Sequence, residues 1–224
     1  MASVREAAAA GPLRRLPPEV VTRLLDGHSL LRTAAGGVFY RPGEAVGLHL
    51  VVRGLVRVSL ASPEGRQVTV RYARPGDVLG VPVTVSGSAP VTAQAVTDVE
   101  IAATRAGLLP QLAQRDPRVG LWLAEELAAR VAGLLDEVSM NAFWPVRRRL
   151  ARHLLDLAVD NQSGERLVVT ASHQELANHV GTVREVVART LTDLRRAGLI
   201  TTSADGGIQL VDPSALTSSA VIGP

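Results

Sequence analysis

Apolar residues change their period once along this chain. Before about residue 106 they fall in short β-branched runs cut by glycine and proline, and from Asp116 they recur at helical spacing. The runs are His49 to Leu60 (broken by Gly54), Val68 to Tyr72, Val78 to Val85 and Val91 to Ala103. Turn signals separate them at Arg41-Pro42-Gly43-Glu44, Ser62-Pro63-Glu64-Gly65, Pro75-Gly76-Asp77 and Ser86-Gly87-Ser88. Short strands punctuated in this way predict an antiparallel barrel or roll. Aromatic residues are 3% of the 224, so the cores must be built from Val, Leu, Ile and Ala. Before the roll, Pro17-Pro18-Glu19 with Val20, Leu24 and Leu25 predicts a short helix.

Two absences narrow the chemistry. The chain has no Cys, which removes disulfides, Cys-ligated clusters, zinc ribbons and thiol nucleophiles. It has no Lys either, all 24 basic side chains being Arg, which removes the phosphate-loop, kinase and Schiff-base lysines. No apolar run approaches the roughly 18 residues that span a bilayer, and Met1 to Gly11 lacks a signal-peptide layout, so a soluble cytoplasmic protein is expected. Net charge is +3 without a polybasic tail, so a nucleic-acid partner requires locally placed charge.

Asp116-Pro117 reads as an N-cap followed by a first-turn proline. Ala124, Leu127, Val131, Leu134 and Val138 then recur every three or four residues, while Leu121, Leu123 and Leu135 fall off that line. A helix with two apolar faces can pack on the roll with one and meet a twin helix with the other. An ordinary amphipathic helix with one wide face is the plainer alternative. Pro145 should end the helix, making Phe143-Trp144-Pro145 a hinge before a helix over Val146 to Val159.

The last third carries the most specific pattern. Val168-Val169-Thr170 predicts a short strand, and Ser172 can cap a helix from Gln174 to Val180. Gly181 breaks that helix where a tight turn needs positive φ. After Thr182, a second helix from Val183 to Ala197 buries Val187, Leu191 and Leu194 and ends at Gly198. Leu199 to Thr202 and Ile208 to Val211 flank Asp205-Gly206-Gly207 as a hairpin. Helix, glycine turn, helix and hairpin make a winged helix-turn-helix. The exposed side of its second helix presents Arg184, Glu185 and Arg189, side chains able to bond guanine and cytosine edges in a major groove. Taken alone, that face is also what a solvated helix surface looks like.

From about Val38 to Val211 the sequence resembles the family of the cyclic-AMP receptor protein and the fumarate–nitrate reduction regulator. The resemblance rests on Arg41-Pro42-Gly43-Glu44, on Val52-Arg53-Gly54, on Arg74-Pro75-Gly76-Asp77-Val78-Leu79-Gly80 and above all on Gln174 to Leu191. It implies an α+β chain with an N-terminal cyclic-nucleotide-binding-like antiparallel β-roll, a long dimerisation helix and a C-terminal winged helix-turn-helix. The corresponding segments are an N-terminal piece with a short helix (1–28), the sensor roll (29–115), the dimerisation helix and hinge (116–143), the DNA-binding domain (144–215) and a tail (216–224). The resemblance also implies base contacts by Arg184, Glu185 and Arg189 and a G·C-containing half-site like TGTGA. The implied partners are double-stranded DNA, a second copy of the chain and RNA polymerase of a bacterial cell.

The resemblance fails at the effector. The Arg and the Ser or Thr that would hold a cyclic phosphate align with Ala89 and Pro90, and the adenine-contacting pair aligns with Leu134-Leu135. A phosphate there would lack the charge that offsets its desolvation. Cyclic AMP is therefore not expected to bind, and the effector is left unknown: another nucleotide, a metabolite or haem. No metal or cofactor is expected, because His28, His49, His153, His173 and His179 form no ligand spacing. An enzyme built on the roll is the rival reading, with Asp98 and Glu100 its strongest acid pair, and a protein-interaction module that has left DNA is another.

Overall fold

The computed structural model describes residues 3–63, 67–88, 90–160, 167–204 and 206–221. Two compact units, Met1–Leu134 and Leu135–Pro224, divide the chain.

The first unit opens with helix α1 (Val4–Ala10), a 3-10 turn (Pro12–Arg15) and α2 (Pro18–Leu25). Eight strands follow: β1 (Ser29–Thr33), β2 (Val38–Tyr40), β3 (His49–Arg53), β4 (Val56–Ala61), β5 (Gln67–Ala73), β6 (Val78–Leu79), β7 (Thr92–Ala95) and β8 (Val99–Ala103), with α3 (Val81–Ser86) between β6 and β7. Helix α4 (Leu108–Arg115) leads into the long α5 (Pro117–Phe143). The strands form two antiparallel sheets, ordered β1-β8-β3-β6 and β2-β7-β4-β5. This is the expected roll.

Strand β3 shows how the sheets are held. Leu48, Leu50 and Val52 pack beneath the helices with Leu13, Leu24, Leu109, Val119 and Trp122, while Val51 faces inward with Val56, Val58, Leu79, Ala95 and Ile101. Each fully buried Leu or Val contributes about 1.5–3 kcal/mol, so a strand buried on both faces anchors the unit. His49 shares the inner face, only 6% exposed, and burial pushes its imidazole down from 6.5 to about 4. Between those pH values the unfolded chain binds a proton that the folded chain refuses. Stability should therefore fall by about 3 kcal/mol as pH drops from 6.5 to 4, and not further from this group. Urea midpoints across that range test it: His49→Phe should flatten the slope, and an unchanged slope would place the acid sensitivity elsewhere.

Several sequence expectations need correction. Val78 to Val85 is not one strand, because Gly80 takes a left-handed φ of 84° and α3 begins at Val81. Val91 to Ala103 is two strands, β7 and β8, and β1 was not anticipated. Besides the expected short helix, the N-terminal piece holds α1, which begins at a Ser3–Glu6 capping box and buries Ala7 and Ala8. Asp98 accepts from the Ala35 N–H at 3.0 Å and Glu100 pairs with Arg32 at 2.7 Å, so each acid of the rival enzyme reading has a structural partner.

The second unit begins within α5. It continues through α6 (Val146–Leu157), β9 (Val159–Asp160), β10 (Leu167–Val169), α7 (His173–Val180), α8 (Arg184–Arg196), β11 (Ile200–Thr202), β12 (Ile208–Leu210) and α9 (Pro213–Val221). The strands form a sheet ordered β11-β12-β10-β9. Leu150, Leu154, Leu176, Leu191, Leu194 and Leu216 fill one core. Of the stretch read as a tail, residues 216–221 belong to α9, and its Leu216 is fully buried.

Candidate nucleic-acid interface

The interface is assembled from local signals. Ser172 Oγ accepts from the Glu175 N–H at 3.2 Å and Glu175 Oε2 accepts from the Ser172 N–H at 2.7 Å, a reciprocal cap that fixes the start of α7. The helix ends at Gly181, with φ 64° and ψ 46°. No described non-glycine residue has a positive φ, and a Cβ at this position would be strained. The Gly181 and Thr182 N–H groups both bond the Ala177 carbonyl, closing the turn. Val183 is the N-cap of α8 without a side-chain cap, and its own side chain is exposed.

Helix α8 is two-faced. Val187, Thr190, Leu191 and Leu194 are buried, whereas Arg184, Glu185 and Arg189 are exposed. None of these three has an ion pair or side-chain hydrogen bond among the described residues. Three charged groups thus stand unengaged on the first two turns of one helix. Gln174, on α7, is exposed and donates to Asn178 Oδ1 at 2.8 Å.

Behind α8, β11 and β12 pair in antiparallel register from Ile200↔Leu210 to Thr202↔Ile208. In the connecting loop Ser203 N–H bonds Gly207 O at 2.8 Å, and Gly206 adopts φ 80°. Asp205 of the hairpin signal lies outside the described residues. Sequence reasoning placed a helix over Val146 to Val159, of which Val146–Leu157 is α6, but did not single out its first turn, Val146-Arg147-Arg148-Arg149. Arg148 stacks over the Trp144 ring at 3.5 Å and Arg149 donates to the Asn141 carbonyl, while Arg147 is exposed. Three consecutive arginines were the available signal.

The seam residues lie on α5 as spaced. Val119, Trp122, Leu123 and Glu126 are buried, Leu127 is partly buried against the same core, and Ala124, Val131, Leu134 and Val138 are exposed. Off the seam, Leu123 packs inward while Leu121 and Leu135 are both 64% exposed. Of the two positions aligned with a cyclic-phosphate site, Pro90 is exposed and Ala89 lies outside the described residues.

Comparison with known proteins agrees with this layout. Residues 30–116 match the cyclic nucleotide-binding domain family and residues 148–219 the Crp-like helix-turn-helix domain family. The chain is 34% identical over 188 residues to the transcriptional regulator LdrP of Thermus thermophilus, covering 82% of this chain and 92% of that one. It is 27% identical to the cAMP-activated global transcriptional regulator Vfr of Pseudomonas aeruginosa, over 77% of this chain and 85% of Vfr. Among solved structures, a CRP/FNR-family regulator from Thermus thermophilus superimposes with a TM-score of 0.68 at 30% identity, over 87% of this chain and 99% of that one. With a cyclic nucleotide-binding-type roll ahead of a Crp-like helix-turn-helix, the chain belongs to the CRP/FNR family of transcriptional regulators.

Proposed function

We propose that the chain is a homodimeric, sequence-specific regulator that reads an inverted repeat through Arg184, Glu185 and Arg189. One observation carries the reading: these three side chains are exposed and unengaged on the first turns of α8, opposite its buried leucines. Glu185 is the informative member, because a carboxylate among phosphates is repelled unless it accepts from a base such as cytosine N4. Gln174, Gly181, Thr182 and Val183 set the entry angle of that helix. A twofold dimer places two such helices about 34 Å apart, in successive major grooves. RNA polymerase is the further macromolecular partner of such a regulator, and no catalytic role is assigned.

We also propose that the roll has lost cyclic AMP. Pro90 has no N–H, Ala89 has no charge, and Leu134-Leu135 offer adenine no hydrogen bond. The roll is therefore read as answering to a different small ligand.

Selection from random duplexes should return inverted repeats with G·C-containing half-sites. Arg184→Ala or Arg189→Ala should each cost about 1–3 kcal/mol on the selected site and leave the salt slope nearly unchanged. Glu185→Ala should relax preference at one base pair without weakening total affinity. Half-sites made of A·T alone, or a Glu185→Ala chain with the parental preference, would refute this docking.

A further inference from the structure

Within the first unit, polar side chains from several strands turn into an otherwise aliphatic interior. Tyr40 of β2 is 4% exposed and packs with Val51, Val56 and Leu79, and its ring lies 6.0 Å from that of His49 on β3. Arg71 of β5 stands opposite Val58 in the ladder, so it too faces inward. From α5, Arg130 reaches the same place. The Arg71 and Arg130 Nη2 groups both donate to a single acceptor, the Val78 carbonyl, at 2.6 and 3.1 Å.

Two guanidinium groups on one carbonyl oxygen are a costly arrangement unless negative charge joins them. Arg130 has only a long contact with Glu126 Oε2, at 3.4 Å, and Glu126 is also engaged by Arg15, which itself pairs with Glu125. Arg71 has no ion pair among the described residues; the negative charges of Asp77 and Glu126 act on it only through space. Burial and the neighbouring Arg130 push the Arg71 guanidinium down to about 10. A second observation points the same way: His49 Nδ1 is buried without a hydrogen-bond partner on a ring that is 6% exposed. Most donors of Arg71, and one nitrogen of His49, are therefore available beside apolar walls.

We propose that this cluster binds a small metabolite bearing a carboxylate or phosphate group, its oxyanion bridging Arg71 and Arg130 and its body lying against Tyr40, His49 and Leu79. The proposal deepens the reading of the roll as an effector domain without a cyclic-nucleotide site. It uses residues of β2, β3, β5 and α5 rather than the segment around Pro90. Because Arg130 belongs to α5, such a ligand would join the roll to that helix.

The test is calorimetry and thermal melting of the full-length chain with inorganic phosphate and with succinate, against chloride at matched ionic strength. Saturable binding of phosphate or succinate with a rise in Tm is expected, and whichever binds more tightly identifies the oxyanion. Arg71→Gln and Arg130→Gln should each weaken that binding by about tenfold or more, and Arg71→Lys, which keeps the charge without the fork, should be intermediate. If neither anion exceeds chloride with the parent chain, or if both Gln variants bind as the parent does, the proposal is wrong. The parent titration alone decides the matter should a variant fail to fold. Cyclic AMP is the separating arm. Saturable cyclic AMP binding that survives Arg71→Gln would overturn the loss of the nucleotide site, while the phosphate and succinate titrations still decide the oxyanion site.

Discussion

The parent chain is expected to run as a dimer at micromolar concentration, and a chain carrying Val131→Glu as a monomer. Val131 is 57% exposed on α5 and lies in line with Leu134 and Val138, 46% and 66% exposed. Aliphatic side chains this exposed in one line are unusual for a surface that meets only water. In a twofold interface the substitution acts twice, putting two carboxylates into one apolar seam. Breaking a buried arrangement in this way costs about 3–5 kcal/mol per uncompensated charge, which is at least two decades in dimer affinity. Light scattering measures it directly. A Val131→Glu chain that stays dimeric would move the interface off this helix.

Leu191→Ala is expected to destabilise the second unit by about 2–5 kcal/mol, a large part of what a unit of this size possesses. Leu191 is completely buried, among Leu150, Leu154, Leu176, Val187 and Leu194. DNA binding should be lost along with the fold of that unit. Arg189→Ala, two residues away on α8 but exposed, should lose specific binding with an unchanged melting profile. Trp122 makes the comparison possible, since it lies buried in the first unit with its Nε1–H donated to the Pro12 carbonyl at 3.0 Å. In a Trp144→Phe background its emission should keep the parental midpoint while helical circular dichroism of the second unit melts earlier. A shift of circular dichroism below about 1 kcal/mol would mean that the core refills the cavity.

The helix-turn-helix was legible because its punctuation is local. Ser172, Gly181 and Gly198 act within a few residues of where they stand, and the buried face of α8 repeats at a helical period. The long helix was legible for the same reason, between Asp116-Pro117 and Pro145. Strand β1 was hidden because four of its five residues are exposed, so it shows no alternation. Helix α3 was hidden because Val81, Val83 and Val85 favour strands by themselves. The left-handed turn at Gly80 and the burial of Val81 and Val83 override that preference. The proposed base-reading face could be named in sequence, since its three residues stand on one helix. The arginine cluster could not be, because Arg71 and Arg130 meet only after a roll has closed and a helix has docked on it.

Trp122 and Pro12 are 110 residues apart in sequence, and Arg15 reaches equally far to Glu126. Alongside them, Leu13 and Leu16 are buried in the same core as Trp122 and Leu123. Such distant pairing has a consequence for synthesis. The opening helices leave the ribosome long before α5 exists, and their apolar sides must wait for it. Contacts of so long a range also slow folding, because loop closure precedes the reward. During that interval Ala7, Leu13 and Leu16 are open to chaperones and to other nascent chains, and a fusion placed ahead of Val4 would act during this stage of assembly.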